Sequence, residues 1–284
     1  MKIINGLSVD VEDYFQVEAF SSTISFSSWD TQESRVERNT KKVLKFLEEE
    51  GIRATFFCIG WVAKRFPGLI KEISQNGHEI ASHGFFHKPI WKQTPKEFRE
   101  DVRSSKRILE DLIGKKVIGY RAPTYSITKK TLWALEILSE EGFVYDSSIF
   151  PIKHDLYGMS SAPRFPFKVK DHFLNVNSDL VEVPMSTLSF LKIKIPVAGG
   201  GYFRAFPFWF IRFAFWFINS IEKRSVIFYI HPWEFDPDQP KIKGLPFKSR
   251  LRHYINLNKT SKRFKKLISI FKFNTISNII SSAN

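Results

Sequence analysis

Short apolar segments alternate with amphipathic segments along most of this chain, and this alternation constrains the fold more than any other feature. Ile3–Val11 and Ala54–Gly60 are typical of strands, and Arg38–Glu50, which lies between them and stops at Gly51, is typical of a helix. Strands that alternate with helices indicate a parallel sheet with crossover helices, so we predict an α/β fold. Because 43% of the residues are hydrophobic, the chain can bury a large core, which excludes wholesale disorder.

Three acidic residues, Asp10, Glu12 and Asp13, stand at the end of the first predicted strand. Carboxylates are costly to bury unless they bind a cation or accept hydrogen bonds. Because side chains alternate along a strand, Asp10 and Glu12 should share one side, and Asp13 would join them only if the strand has already broken. The alternative is that the acids begin a solvated loop. Polar residues also end other predicted strands, which favours a closed barrel, because barrel enzymes place their chemistry there.

Two histidines four residues apart, His83 and His87, follow the short predicted strand Glu79–Ser82. If the segment turns helically, both imidazoles lie on one side. Two imidazoles and one carboxylate, with a position left for water, are a ligand set of hydrolytic metal sites. A pair of surface histidines is the alternative. His78 is not at ligand spacing, and we predict a structural role for it.

His231 and Arg121 are candidate catalytic residues because each follows an apolar strand-like segment. The imidazole of His231 should lie where Val226–Ile230 leaves the core, although a buried histidine without a catalytic role is the alternative. Arg121 could hold a carboxylate ionised through a bidentate pair, or it could lie on the surface.

Taken in order, these segments resemble the polysaccharide deacetylase family, the NodB-like deacetylases of carbohydrate esterase family four, over about the first 238 residues. The resemblance implies a distorted (β/α) barrel and a divalent metal, Zn²⁺ first among the candidates. The family's first motif supplies a catalytic base and then a metal-binding acid, here Asp10 and Glu12, with Asp13 as the rival ligand. The histidine motif falls on His83 and His87.

The resemblance also implies a substrate-binding turn. Arg121 and Pro123 match an Arg-x-Pro motif, and the backbone N–H near Thr124 is expected to stabilise the oxyanion, with Tyr125 beside it. The chain departs from the family pattern at Gly84, where a hydroxyl residue is common after the first histidine.

Two further site residues surround the expected catalytic acid, His231. Asp146 matches a family aspartate that tunes this histidine. For Trp233 we predict stacking on a sugar ring, and packing at the barrel rim is the alternative.

A narrower resemblance, to the exosortase-associated branch with a DUF3473-type C-terminal region, is carried by His231–Pro240, Gly199–Arg204 and Arg252–Asn256. It implies a role in exopolysaccharide biosynthesis. We predict a single catalytic domain over residues 1–238 and a basic extension over residues 239–284 that packs on or beside the barrel.

Positive charge is concentrated in that extension. The net charge is +14, no acidic residue follows Asp238, and eleven Lys or Arg residues lie between Lys241 and Lys272. Such asymmetry indicates contact with an anionic partner, which could be a phospholipid surface, a charged glycan carrier or nucleic acid, with a solvated basic face as the alternative. An anionic membrane surface is the partner expected here, and no nucleic acid is expected because no such motif accompanies the charge.

The N-terminal residues lack a signal-peptide pattern, so we expect a cytoplasmic protein, with peripheral contact at the inner face of the membrane. The lone cysteine, Cys58, cannot form an intrachain disulfide and is expected to be buried. Phe206–Ile221 is apolar except for Arg212, for which we predict a buried helix, with an in-plane membrane anchor as the alternative.

The predicted function is removal of N-acetyl groups from an N-acetylated glycan. Two alternatives remain open: an amidohydrolase acting on a small cyclic amide, and a non-catalytic glycan-binding protein of an export system. The proton-transfer residues Asp10, Arg121 and His231 count against the second alternative, because a binding module does not need them.

Overall fold

The computed structural model describes residues 3–173, 176–191 and 193–283, and its centre is a curled sheet of mostly parallel strands. The strands are β1 (Ile4–Val11), β2 (Thr55–Cys58), β3 (Glu79–Ser82), β4 (Gly119–Tyr120), β5 (Tyr145–Asp146), β6 (Phe167–Lys168), β7 (Val181–Glu182), β8 (Thr187–Phe190), β9 (Ile193–Pro196), β10 (Ile227–Ile230) and β11 (Lys272–Asn274). The main sheet has the order β10-β1-β2-β3-β4-β5-β7-β6, and β11 pairs with the beginning of β1. Only β6 and β7 pair antiparallel among the described strands of this sheet, while β8 and β9 form a separate antiparallel pair. The predicted α/β fold is confirmed, with the parallel sheet curled into a half-barrel.

Helices occupy most of the connections between the parallel strands. They are α1 (Val36–Glu49), α2 (Gly60–Arg65), α3 (Pro67–Gln75), α4 (Pro95–Ile113), α5 (Trp133–Glu140), α6 (Gly200–Ala205), α7 (Phe208–Trp216), α8 (Phe247–Tyr254), α9 (Leu257–Ile270) and α10 (Ile276–Ala283). The bounds of α4 follow from its sequence: Thr94 and Glu97 form a reciprocal capping box at its start, and Gly114, with φ +66°, ends it.

The interior of the curled sheet is a packed core rather than a channel. Alternate strand residues such as Phe57, Tyr145, Ile227 and Tyr229 form one buried cluster. The fully buried Arg121 lies among them, with its guanidinium carbon 4.0 Å from the centre of the Phe57 ring. Side chains that react with a substrate can therefore lie only beyond the ends of the strands.

Residues after β10 pack against the amino-terminal edge of the sheet. The Ile276 N–H donates to Thr55 Oγ1, and Ile276 and Ile279 belong to the buried cluster of the interior. A Cβ on Gly6 would lie 2.8 Å from Ile227 Cδ1 and 3.6 Å from each of these two side chains, so the C-terminal helix packs directly on the β1 backbone. The basic extension thus packs on the barrel, while the domain boundary at residue 238 stays a prediction.

The apolar segment Phe206–Ile221 is not buried on all sides, so that prediction is wrong. Its buried face consists of Ile211, Ala214, Phe215 and Ile218. Its exposed residues include Trp209, Phe213 and Trp216. Within the described ranges, no helix has both the length and the apolar character needed to cross a membrane.

The glycine-rich segment before α7 forms the short helix α6. Gly200 begins α6, and Gly199 has φ +129°. A Cβ on Gly199 would lie 1.8 Å from the Tyr229 carbonyl oxygen, so the two backbone segments approach too closely here for any other residue.

Candidate active site

Three of the predicted ligands meet at the carboxyl ends of β1 and β3. One ligand atom from each of Glu12, His83 and His87 lies within 4.8 Å of the others, and Glu12 Oε2 is 2.8 Å from His87 Nε2. All three side chains are buried. A buried carboxylate facing two imidazoles is the arrangement that a divalent cation requires.

The loop that carries the two histidines has a backbone that only glycine adopts easily. Gly84 has φ +71°, and a Cβ there would lie 2.8 Å from Asp101 Oδ2. The same Asp101 carboxylate accepts hydrogen bonds from the N–H groups of Phe85 and Phe86. The loop is therefore held by Asp101, which explains why glycine stands where a hydroxyl residue was expected.

Hydrogen bonding and burial prepare His83 and Glu12 to bind a cation. His83 Nδ1 lies 2.7 Å from the Arg121 carbonyl oxygen, so it carries the proton and leaves Nε2 as the free donor atom. Burial lowers the pKa of His83 to about 4, which keeps this imidazole neutral. Burial alone would raise the pKa of Glu12, but His87 and His231 outweigh it and lower that pKa well below its usual range. An ionised carboxylate and a neutral imidazole fit a divalent metal.

Asp10 and Arg121 form a buried ion pair next to these ligands. Arg121 Nη1 lies 2.6 Å from Asp10 Oδ1 and also donates to Ser8 Oγ at 2.8 Å. Its other nitrogens donate to the backbone oxygen and hydroxyl of Ser147. The surface alternative for Arg121 is therefore wrong, and its fixed guanidinium leaves Asp10 Oδ2 facing the cavity, 3.9 Å from His231 Nε2.

His231 is held by a pair of residues that the sequence analysis missed. Its Nδ1 lies 2.5 Å from Glu234 Oε1, and Glu234 Oε2 accepts from Arg204 Nε at 3.1 Å. Arg204 is fixed in turn by donating to the His253 carbonyl oxygen. Burial would lower the pKa of His231, but Glu12 and then Glu234 outweigh it and raise that pKa to about 9. The spacing of three residues between His231 and Glu234 was the available sequence signal.

Asp146 does not contact His231, which corrects its predicted role. It accepts a hydrogen bond from Ser148 Oγ at 2.5 Å, and Ser148 Oγ accepts from the Ala122 N–H. Its neighbour across the sheet is Glu182, and burial raises the pKa of both carboxyls. Asp146 therefore supports the turn that follows Arg121.

Asp13, predicted as the rival ligand, faces away from the cluster, because its carboxylate caps the start of α1. Oδ2 accepts from Ser34 Oγ, from the Arg35 N–H and from the Val36 N–H at 2.7, 2.7 and 3.0 Å. Oδ1 accepts from the Tyr14 N–H. A side chain with four such partners is not available to a metal.

Trp233 has no ring face free for a sugar, so the predicted stacking is wrong. Its ring stacks on the imidazoles of His231 and His253, with centroid distances of 5.0 and 4.1 Å, and only 4% of the residue is exposed. Its indole N–H donates to Glu12 Oε1 at 3.0 Å. Trp233 thus orients the acidic ligand and the imidazole of His231.

A cavity of about 560 Å³ lies over these groups. Its lining includes Asp10, Glu12, His83, His87, Thr124, Tyr125, Tyr229, His231 and Trp233. Thr124 and Tyr125 have φ +58° and +51°, a strained conformation that turns this backbone at the cavity wall, whereas Pro123 is buried beneath it.

A second groove of about 350 Å³ continues from the first and shares Val17, Glu18 and His87 with it. Two aromatic residues in this groove, Phe26 and Phe86, are 45% and 43% exposed. Their rings meet edge to face, with centroids 4.9 Å apart. The cavity and the groove together offer room beyond the candidate metal ligands.

Comparison with known proteins adds two family matches. Residues 22–142 match the family described as polysaccharide deacetylase, and residues 147–281 match a domain of unknown function, DUF3473. The first match begins after β1, so Asp10 and Glu12 precede it.

Two curated relatives and one solved structure are similar to parts of the chain. A peptidoglycan deacetylase-like protein from Gibberella zeae is 33% identical over 46% of this chain and 38% of its own length. A peptidoglycan-N-acetylglucosamine deacetylase from Bacillus cereus is 34% identical over 34% of this chain and 36% of its own length. A proposed polysaccharide deacetylase from Mycobacterium smegmatis has a crystal structure that covers 98% of this chain and 89% of its own, with a TM-score of 0.61 and 19% identity, and supports the fold.

Proposed function

Because this chain belongs to the polysaccharide deacetylase family, we propose that it is a metal-dependent hydrolase that removes N-acetyl groups from amino sugars of a polysaccharide or its precursor. The observation that carries the proposal is the convergence of Glu12, His83 and His87 in one cavity with the Asp10–Arg121 pair and with His231. A metal-binding set beside a base and an acid is what amide hydrolysis requires.

Glu12, His83 and His87 would hold the metal, which we propose to be Zn²⁺, because this set of two imidazoles and a carboxylate is typical of catalytic zinc. When bound, the ion supplies the positive charge that polarises the acetamide carbonyl and lowers the pKa of water. Trp233 holds one oxygen of Glu12 through its indole N–H, which limits how the carboxylate can turn.

Asp10 is the proposed general base. Arg121 Nη1, which also donates to Ser8 Oγ, binds Asp10 Oδ1, and Asp10 Oδ2 is the oxygen that faces His231. Because the arginine binds one carboxylate oxygen, the other oxygen is left to accept a proton from water. The backbone N–H at Thr124, in the strained turn, is the proposed donor to the oxyanion.

His231 is the proposed general acid that protonates the departing amine. Its Nδ1 binds Glu234, so the proton to be donated is on Nε2, which faces Glu12 and Asp10 at 3.5 and 3.9 Å. A bound cation would offset the charge of Glu12, and Glu234 would then be the main group that keeps His231 protonated near neutral pH.

The substrate proposed is a polymer or oligomer of N-acetylated sugars. The second groove with exposed Phe26 and Phe86 supports a chain longer than one sugar, because pyranose rings stack on exposed aromatic faces. A role in exopolysaccharide biosynthesis is part of this proposal, and it depends on the narrower resemblance that includes the C-terminal region.

The decisive experiment measures metal content and acetate release on the same preparation. The metal is removed with a chelator, Zn²⁺ is added back, and acetate release is followed on N-acetylglucosamine oligomers and, in parallel, on a small cyclic amide. We expect Zn²⁺-dependent acetate release from the oligomers alone. Hydrolysis of the cyclic amide instead would favour the amidohydrolase, and oligomer binding without acetate release by the metal-loaded protein would favour the glycan-binding alternative.

A further inference from the structure

Helix α7 exposes a stripe of large aromatic side chains. Trp209, Phe213 and Trp216 are 70%, 45% and 48% exposed, and their spacing of four and three residues places them on one side of the helix. Three exposed aromatic rings along one helix are costly in water unless something covers them.

The core fixes the direction in which this stripe points. On the opposite side of the helix Phe215 packs on Phe228 of β10 and on Phe271, at centroid distances of 5.6 and 4.9 Å. Ile211 and Ile218 are fully buried on the same side. The aromatic stripe is therefore held outward by a packed core and cannot turn inward without breaking it.

A basic helix borders the stripe. A groove of about 740 Å³ between α7 and the end of α9 is lined by Trp209, Phe213 and Trp216 and by two cations, Arg212 and Lys266. Lys266 also lies 5.3 Å from the centre of the Phe208 ring.

Lys259 and Lys262 lie nearer the start of α9 than Lys266, and all three lysines are exposed. Their spacing of three and four residues places all three on one side of the helix. No acidic residue follows Asp238 in the sequence, so no carboxylate on α8, α9 or α10 offsets these charges.

We propose that α7 and α9 dock the protein onto an anionic membrane surface, with the aromatic stripe in the interfacial region and the lysines facing lipid phosphates. The combination of exposed Trp and Phe with adjacent Lys and Arg is that of helices lying in the plane of a membrane. Charge complementarity selects this occupant, because an apolar protein partner would not require a row of lysines.

Both docking helices are joined to the wall of the proposed substrate cavity. Helix α6 supplies Tyr202 and Arg204 to the cavity wall and is joined to α7 by only Phe206 and Pro207. Arg263 of α9 donates to the carbonyl oxygens of Phe203 and Phe206, which ties α9 to the same wall.

The test uses the full chain and vesicles of phosphatidylcholine alone or of phosphatidylcholine mixed with phosphatidylglycerol. Co-sedimentation and the tryptophan emission maximum are measured for the wild type, for W209S/W216S, and for K262E/K266E. The matched controls are W91S, which removes a partly exposed tryptophan elsewhere, and K129E/K130E, which reverses two exposed lysines elsewhere. Circular dichroism and acetate release in solution establish that each variant is folded.

We expect the wild type and both controls to bind the anionic vesicles at low salt, with a blue-shifted tryptophan emission. With the neutral vesicles, all three proteins should stay in the supernatant. Each lysine charge lost should weaken binding about fivefold, so K262E/K266E, which loses two and adds two negative charges, should bind at least about 25-fold more weakly. W209S/W216S should lose both binding and the blue shift. Failure of the wild type to bind anionic vesicles would overturn the proposal. Equal binding by W209S/W216S would also overturn it. So would a dimer of the wild type in solution that W209S/W216S converts to a monomer, since a second copy of the chain would then cover the aromatic stripe.

Discussion

Glu12 and Asp13 are adjacent in the sequence, yet their carboxylates serve different parts of the molecule. Glu12 Oε2 lies 2.8 Å from His87 Nε2, and Asp13 Oδ2 lies 2.7 Å from the Arg35 N–H nitrogen at the start of α1. Strand β1 ends at Val11, and a hydrogen bond from the Glu12 N–H to the Asp10 carbonyl oxygen turns the backbone just before these two acids. The break turns one acid toward the cavity and the next toward a helix.

Substitution of these neighbours should separate metal binding from stability. E12Q should lose Zn²⁺ while keeping its fold, because it removes the only carboxylate of the ligand set. D13A should keep Zn²⁺ but lower the free energy of unfolding by about 2 kcal/mol. The substitution removes the cap of α1 and leaves the N–H groups of Arg35 and Val36 without their acceptor. Metal analysis and urea unfolding of both proteins check this. Loss of metal in D13A with E12Q unaffected would reverse the assignment.

Histidine substitutions should separate metal binding from proton transfer. H83A should lose Zn²⁺ and activity together, because His83 is a proposed ligand. H231A should keep the metal and lower kcat on N-acetylglucosamine oligomers by about 10² to 10⁴-fold, as expected when a general acid is removed. Metal content and kcat measured on each protein decide the point, and full activity of H231A would eliminate its role as the acid.

Glu234 is a positioning residue, and its substitution should shift a pH profile. The carboxylate raises the pKa of His231, so E234Q should lower that pKa. Because a general acid must be protonated to act, activity is lost above its pKa, and the alkaline limb of kcat should move to lower pH in E234Q. A variant with lower kcat but an unchanged alkaline limb would show that Glu234 acts only on structure.

His78 should make the fold sensitive to acid. The Ala54 N–H donates to its Nδ1, and burial, followed by the charge of Arg53, lowers the pKa of His78 from 6.5 to about 4. Between these values the unfolded chain binds a proton that the folded chain does not, so stability falls as the pH falls, by about 3 kcal/mol in all. H78Q should show a smaller loss of unfolding free energy over this pH range. Equal losses in the metal-free wild type and H78Q would exclude His78 as a source.

The aromatic groove should determine preference for chain length. F86A and F26A should each raise KM for long N-acetylglucosamine oligomers by about fivefold, because each removes a stacking surface worth about 1 kcal/mol, and should leave the shortest substrate that is turned over unaffected. F190A, which removes an exposed phenylalanine from β8, is the control. Steady-state kinetics across oligomer lengths test it, and an equal effect at all lengths would show that the groove does not bind the glycan.

The alternation of apolar and amphipathic segments was sufficient to predict the α/β class. The polar residues that follow the predicted strands were sufficient to predict where the candidate ligands meet. Parallel strands end on one edge, so residues that follow β1, β3 and β10 must converge there, and Glu12, His83 and His231 do. The same logic could not decide between Glu12 and Asp13, since it depends on where a strand breaks, and that is set by a single backbone hydrogen bond.

Contacts between residues brought together by long connections could not be predicted from the sequence. The partner of His231 was expected to be Asp146, but chain connectivity gave no information on which carboxylate reaches Nδ1. The hidden faces of Trp233 depend on His253, which reaches it from the distant helix α8. Likewise, periodicity could not distinguish the buried and exposed sides of α7, because both are apolar.

Strand β1 contains Asp10 and ends just before Glu12, and its hydrogen-bonding neighbours include β10 and β11, formed by residues more than two hundred positions later. Pairing of this kind has a high loop-closure cost and makes folding slow. During synthesis on a ribosome, β1 must therefore wait, with one edge unpaired, until the residues of β10 and β11 have emerged. Catalytic competence would be acquired last, which predicts that nascent or prematurely terminated chains depend on chaperones and contribute no partial activity.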